Sequence, residues 1–127
     1  MKVGFTGTQV GMSDSQKEKL EVLLKGLNIT EFHHGDCIGA DAEAHEIAND
    51  LGLRIVIHPP TNSSKRAYCI PNVLLDRKPY IERNHDIVDS CDLLVATPKS
   101  ANEELRSGTW ATIRYARKVN REVRILV

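Results

Sequence analysis

Gly35-Asp36-Cys37-Ile38-Gly39-Ala40-Asp41 joins the short run Glu31-Phe32-His33-His34 to a helical pattern made by Ala44, Ile47, Ala48 and Leu51. A strand, a glycine turn and a helix in direct succession are the unit of a parallel α/β sheet. Glycine permits positive φ and close approach of a ligand to the backbone. The helix that follows offers free N–H groups and a partial positive charge to an anion. Two further turns have the same character. Thr6-Gly7-Thr8-Gln9 follows the apolar opening of the chain, and Ser107-Gly108-Thr109-Trp110 precedes the last helical pattern.

Working outward, Val3 to Thr6 reads as the first strand. Ser13 and Gln16 form a capping box ahead of Leu20, Leu23, Leu24 and Leu27 at helical spacing. Asp41 is placed to cap the second helix, and Gly52 to end it. Residues 54–58 (Arg-Ile-Val-Ile-His) read as a third strand, cut off by Pro59-Pro60. Residues 61–78 form a long polar connection bearing Lys65, Arg66, Arg77 and Lys78, expected to be a mobile flap over a pocket. Pro79 opens a helix through about Ser90, with Ile81, Ile87 and Val88 turned inward. Leu93-Leu94-Val95-Ala96 is apolar at every position, as in a strand covered on both faces. A helix over 109–120, packing through Trp110, Ile113 and Ala116, and a strand over 123–127 complete the chain. The expected fold is α/β, a three-layer Rossmann-like sandwich on a mainly parallel five-stranded sheet, with residues 1–127 as one domain.

Composition narrows the function. The 17 Lys and Arg balance the 17 Asp and Glu, which disfavours a nucleic-acid binder that relies on a basic surface. No apolar stretch is long enough for a membrane span, and the N-terminus lacks a signal-peptide pattern. Three widely spaced cysteines, Cys37, Cys69 and Cys91, fit a reducing compartment, so a cytoplasmic location is expected. Neither G-x-G-x-x-G nor G-x-x-x-x-G-K-[ST] occurs, and no resident cofactor is implied. His33 and His34 face opposite sides of a strand, and Asp41 with His45 lacks a third ligand, so no metal site is expected.

In a doubly wound sheet, ligands bind beyond the carboxyl ends of the strands. The three turns and His58 all follow strands and should gather there. Each residue also has a plainer reading: Gly35 and Gly39 as turn formers, Asp41, Thr8 and Thr109 as caps, Arg83 as a surface helix residue.

The opening Gly4-Phe5-Thr6-Gly7-Thr8, the turn Gly35 to Asp41, the pair Arg83-Asn84 followed by Asp92-Leu93-Leu94-Val95-Ala96, and Gly108-Thr109 together carry a family likeness. The chain resembles the SLOG superfamily of Rossmannoid proteins, in the group of YspA/YpsA-like proteins and, more distantly, DprA and the Lonely-guy phosphoribohydrolases. The resemblance implies a pocket for a nucleotide or a derivative such as an ADP-ribose or NAD-related molecule. It assigns ligand contacts to Thr6, Gly7, Thr8, Gly35, Asp36, Cys37, Gly39, Ala40, Asp41, His58, Arg83, Asn84, Gly108 and Thr109. It also implies a homodimer, with helices around 79–90 and 109–120 as the contact.

Cleavage of a nucleoside 5′-monophosphate at its N-glycosidic bond is the alternative. Glu82-Arg83-Asn84 is similar to one catalytic segment of the Lonely-guy enzymes, and Gly108-Thr109 to the other. The position of their catalytic glutamate is Thr112, which leaves Arg83, Glu103 and Glu104 as the catalytic candidates. Arg83 is expected to be an exposed pocket residue that contributes little to stability.

Overall fold

The computed structural model describes residues 1–127. Its strands are β1 (Lys2–Gly7), β2 (Glu31–His34), β3 (Ile55–Ile57), β4 (Val73–Leu74), β5 (Leu93–Thr97) and β6 (Glu122–Ile125). Its helices are α1 (Asp14–Gly26), α2 (Ala40–Asp50), α3 (Tyr80–Ser90) and α4 (Gly108–Lys118), with one 3-10 turn at Ser63–Lys65. The six strands run in the order β4-β3-β2-β1-β5-β6, and every pairing is parallel. The sheet therefore has one strand more than the sequence predicts. The extra strand is the two-residue edge β4, inside the polar connection. Too short to show a period, it is held because Asn72 brackets Ile55: its N–H donates to Ile55 O, and its Oδ1 accepts Ile55 N–H.

Alternation along the central strands sorts the core into two layers. Val3, Phe5, Phe32, Leu93 and Val95 face α1 and α2, where they meet Leu20, Leu24, Ala40, Ala44 and Ala48. Leu94 meets Ile87, Val88 and Ala116 of α3 and α4, and Ala96 meets Trp110 and Ile113. Within α3 the expected inward stripe holds for Ile87 and Val88. Ile81, in the first turn, departs from it and is 72% exposed. α1 starts from the capping box that the sequence predicts, with both reciprocal bonds formed. α2 does not start from Asp41. Its N-cap is Gly39, with no side-chain cap.

The chain steps outward from β1 through β2 and β3 to β4, then returns to lay β5 on the other side of β1. A crevice opens at such a reversal, beyond the carboxyl ends of the two strands. Glycines set its width. At Gly7 a Cβ would overlap the Ala40 Cβ and Thr97 Oγ1. Gly39 has φ +86°, and a Cβ there would run into the Gln9 carbonyl. The turns after β1 and β2 thus touch backbone to backbone, sealed by Ala40 N–H donating to Thr8 O at 2.9 Å.

Gly39→Ala should therefore cost about 2–4 kcal/mol of unfolding free energy, since left-handed strain and overlap add. Gly26→Ala, in open space at the end of α1, should change stability by less than about 1 kcal/mol. Urea unfolding of the two variants measures both.

Candidate functional site

The crevice is a cleft of about 540 Å³. Phe5 to Val10, the end of β1 and the turn after it, form one wall, and Lys99, Glu104 and Ser107 to Thr109, after β5, form another. Gly35, Cys37 and Asp41 come from the β2–α2 turn, and Tyr80, Arg83, Asn84 and Ile87 from α3. The N-terminus of α4 opens onto it. Ser107 Oγ accepts the Trp110 N–H, while the N–H groups of Gly108 and Thr109 have no acceptor in the protein.

Arg83 sits at the floor and is only 5% exposed, which corrects the expectation of an exposed side chain. Its Nη1 donates to the carbonyls of Gly35 and His58, at the ends of β2 and β3. Its Nε donates to Asn84 Oδ1 at 2.9 Å, and its Nη2 lies 3.6 Å from Cys37 Sγ. A Cβ on Gly35 would collide with the guanidinium, so glycine is what lets the charge lie against the strand end. No carboxylate lies within 4.0 Å of the guanidinium. A buried cation without a counter-ion is costly. An anion delivered by a ligand would supply what the protein leaves out.

No family model matches the sequence, and no curated protein matches it closely. Solved structures match its fold. A molybdenum cofactor binding protein from Rippkaea orientalis superposes with a TM-score of 0.73 at 16% identity, covering 98% of this chain and 74% of that one. The Moco carrier protein of Chlamydomonas reinhardtii gives 0.65 at 19%, covering 98% and 75%. DprA from Streptococcus pneumoniae gives 0.74 at 21% over 98% of this chain, which spans about half (49%) of the DprA chain. The chain shares the Rossmann-like α/β fold of these proteins.

Within this cleft Asp41 is the second buried charge, 7% exposed. Its Oδ2 accepts the Cys37 N–H at 3.1 Å. Burial pushes its carboxyl up from 3.8 to about 6, against the pull of the Arg83 charge and the backbone N–H groups of Cys37 and Gly35. Burial also pushes the Cys37 thiol up, so at neutral pH it is a thiol and no nucleophile.

Other expected contacts lie elsewhere. Asp36, at φ +58°, is fully buried and turned away from the cleft. Its carboxylate accepts Arg66 Nε–H at 2.8 Å and Cys69 N–H at 2.9 Å, and its carbonyl accepts Ala67 N–H. These bonds pin residues 66–69 to the turn. No residue of 61–78 lines the cleft, so the segment is not a flap over it. Gly39 and Ala40 form the seam between turns, behind the cleft wall.

His58 lines a separate cavity of about 340 Å³ on the far side of Arg83. Its Nε2 lies 2.7 Å from His33 Nδ1, and His33 Nε2 lies 3.0 Å from Glu31 Oε1. The carboxylate can only accept, so His33 donates from Nε2 and receives from His58. On the opposite face, His34 Nδ1 accepts the Asp36 N–H, so its Nε2 donates to His45 Nδ1 at 2.9 Å. Burial holds His33, His34 and His58 below the usual imidazole range, His58 at about 4. They are neutral polar struts, and no cluster of three or more His, Cys, Asp or Glu is placed to hold a metal.

Of the catalytic candidates, Glu103 pairs with Arg114 at 2.8 Å outside the cleft. Glu104 lines the cleft from the exposed loop. Thr112 is buried and donates to Gly108 O within its own helix. Sequence reading did not find Tyr80, Ile87 or Lys99 as lining residues. Lys99 is the one with a signal: a lone cation just past a buried strand, exposed and without a protein partner.

Two outcomes follow. Arg83→Ala should lower the unfolding free energy by about 2–4 kcal/mol, because two buried carbonyls lose their donor; denaturant titration reads this. Asp41 has a folded pKa above its unfolded value, so its protonated form favours folding. That contribution is full at low pH and lost as pH rises from about 4 to about 6. Asp41→Asn should gain on the order of 3 kcal/mol at neutral pH and nothing below about pH 4. Urea midpoints across this range test the sign.

Proposed function

We propose that this chain binds a nucleotide or nucleotide derivative, of the ADP-ribose or NAD-related kind, in the cleft between the ends of β1 and β5. The observation that carries the reading is Arg83, a buried guanidinium with no carboxylate partner. The free N–H groups at the start of α4 and the unpaired Lys99 stand around the same space. A phosphate group would meet all three, through charge-assisted hydrogen bonds and the helix dipole. Phe5, Tyr80 and Ile87 supply apolar wall for a ring.

The role is sensing, carrying or sequestering such a molecule in the cytoplasm. Fold neighbours described as binding or carrying the molybdenum cofactor support a small-molecule role in general. N-glycosidic hydrolysis is less well supported: Thr112 and Glu103 are bound elsewhere, and of the two candidate glutamates only Glu104, from an exposed loop, lines the cleft. Homodimerisation remains part of the proposal. The facing sides of α3 and α4 are used within the chain, where His85 stacks on Tyr115 at 3.7 Å. Ile81 on the outer face is the candidate contact.

Calorimetric titration with ADP-ribose, AMP and NAD tests the reading. Lys99→Ala should weaken the best ligand about tenfold, the effect of one charge-assisted contact. Its melting temperature should stay unchanged, since Lys99 holds nothing in the free protein. Equal affinity in wild type and variant would remove Lys99 from the site.

A further inference from the structure

The floor of the cleft holds two buried groups of opposite charge that do not pair. Arg83 spends its N–H groups on two carbonyls, an amide oxygen and a thiol. Asp41 receives the Cys37 backbone N–H, with that of Gly35 nearby, and no cationic nitrogen lies within 4.0 Å of it. Both line the space that the preceding reading gives to an anion. Ionised, Asp41 would repel that anion in a region poor in water. Protonated, it drops the repulsion and gains an O–H donor.

On the reading of the cleft as an anion site, we propose that Asp41 enters the complex protonated and donates a hydrogen bond to the ligand's anionic group, so that each anion bound brings one proton with it. Free Asp41 titrates near pH 6 and is mostly ionised at neutral pH, so the proton is taken up on binding. The groups around it are few. Arg83 faces it from α3, where Tyr80 also lines the cleft. Asp36 and Cys37 flank it on the β2–α2 turn, and Cys69, a thiol kept neutral by burial, stands near it in the connection that follows β3. Lys99 and Glu104 face the cleft from the β5–α4 loop. His45, one turn along α2, is engaged with His34. Arg83 and Lys99 are fixed cations, Asp36 is paired with Arg66, and Glu104 stands exposed in its loop. Asp41 is the buried carboxylate in the cleft without a cationic partner.

ADP-ribose is the probe of choice. Its pyrophosphate is esterified at both ends and so lacks the second ionisation near about pH 6 that a monoester would add. Calorimetry of the wild-type protein in buffers of different ionisation enthalpy should report close to one proton taken up per ADP-ribose at about pH 8. Affinity should fall about tenfold per pH unit between about pH 6 and pH 8. Asp41→Asn should bind with affinity independent of pH over that range and take up no proton. Binding without proton uptake, or an unchanged pH slope in Asp41→Asn, overturns the role of Asp41 and leaves the cleft reading standing. Failure of ADP-ribose, AMP and inorganic phosphate all to bind overturns both. The uptake measurement uses the wild-type chain, so it decides the matter even where the variant folds poorly.

Discussion

The guanidinium of Arg83 ties the far side of the molecule to the sheet. One nitrogen reaches two carbonyls at the ends of adjacent strands, which β2 and β3 cannot pair because the sheet stops there. Buried carbonyls need donors, and a helix crossing above the strand ends supplies them through one long side chain. Gly35 must be bare for this contact. The position of α3, the separation of the main cleft from the cavity at His58, and the electrostatics felt by Asp41 all follow from it.

Polar groups fill much of the remaining carboxyl edge, and nearly all are committed. Asp36 ties residues 66–69 to the β2–α2 turn, and Arg66 itself lies 4.5 Å from the Tyr68 ring centroid. The histidine pairs on the two faces of β2 stay neutral through burial and bridge strand to strand and strand to helix. Such satisfied networks specify one arrangement of turns. Against that background, several free groups stand out: the donors of Gly108 and Thr109, the Lys99 ammonium, the unbalanced charges of Arg83 and Asp41, and the unpartnered Thr97 Oγ1 at the end of β5. Their gathering around one cleft is what supports reading it as the binding site.

Asp41 shows the tension between folding and binding. Its burial works against the folded state at neutral pH, where an amide would fit with less cost. A group of this kind earns no place through packing, whereas a carboxyl beside a cation in a cleft gives the site a proton to exchange. Cys37 beside it carries a thiol whose ionisation burial suppresses, so chemistry at the floor rests on the carboxyl.

The local signals in the chain were sufficient for the α/β class, the order of the main elements and the gathering of the turns at one sheet edge. Hydrophobic periodicity, the Ser13–Gln16 box and the continuous run from Leu93 to Ala96 are consequences of neighbours in sequence, and the reversal of strand order puts the turns together. The two-residue β4 was illegible because its pairing depends on Asn72 reaching Ile55. The anchoring of residues 66–69 was illegible because Asp36 and Arg66 are thirty positions apart. Burial of Arg83 and the unpaired state of Asp41 were decided only when helix α3 closed over the strand ends. Whether a charge meets water, a partner or an empty cleft is a property of the packed molecule, and the sequence sets only which charges are there to be packed.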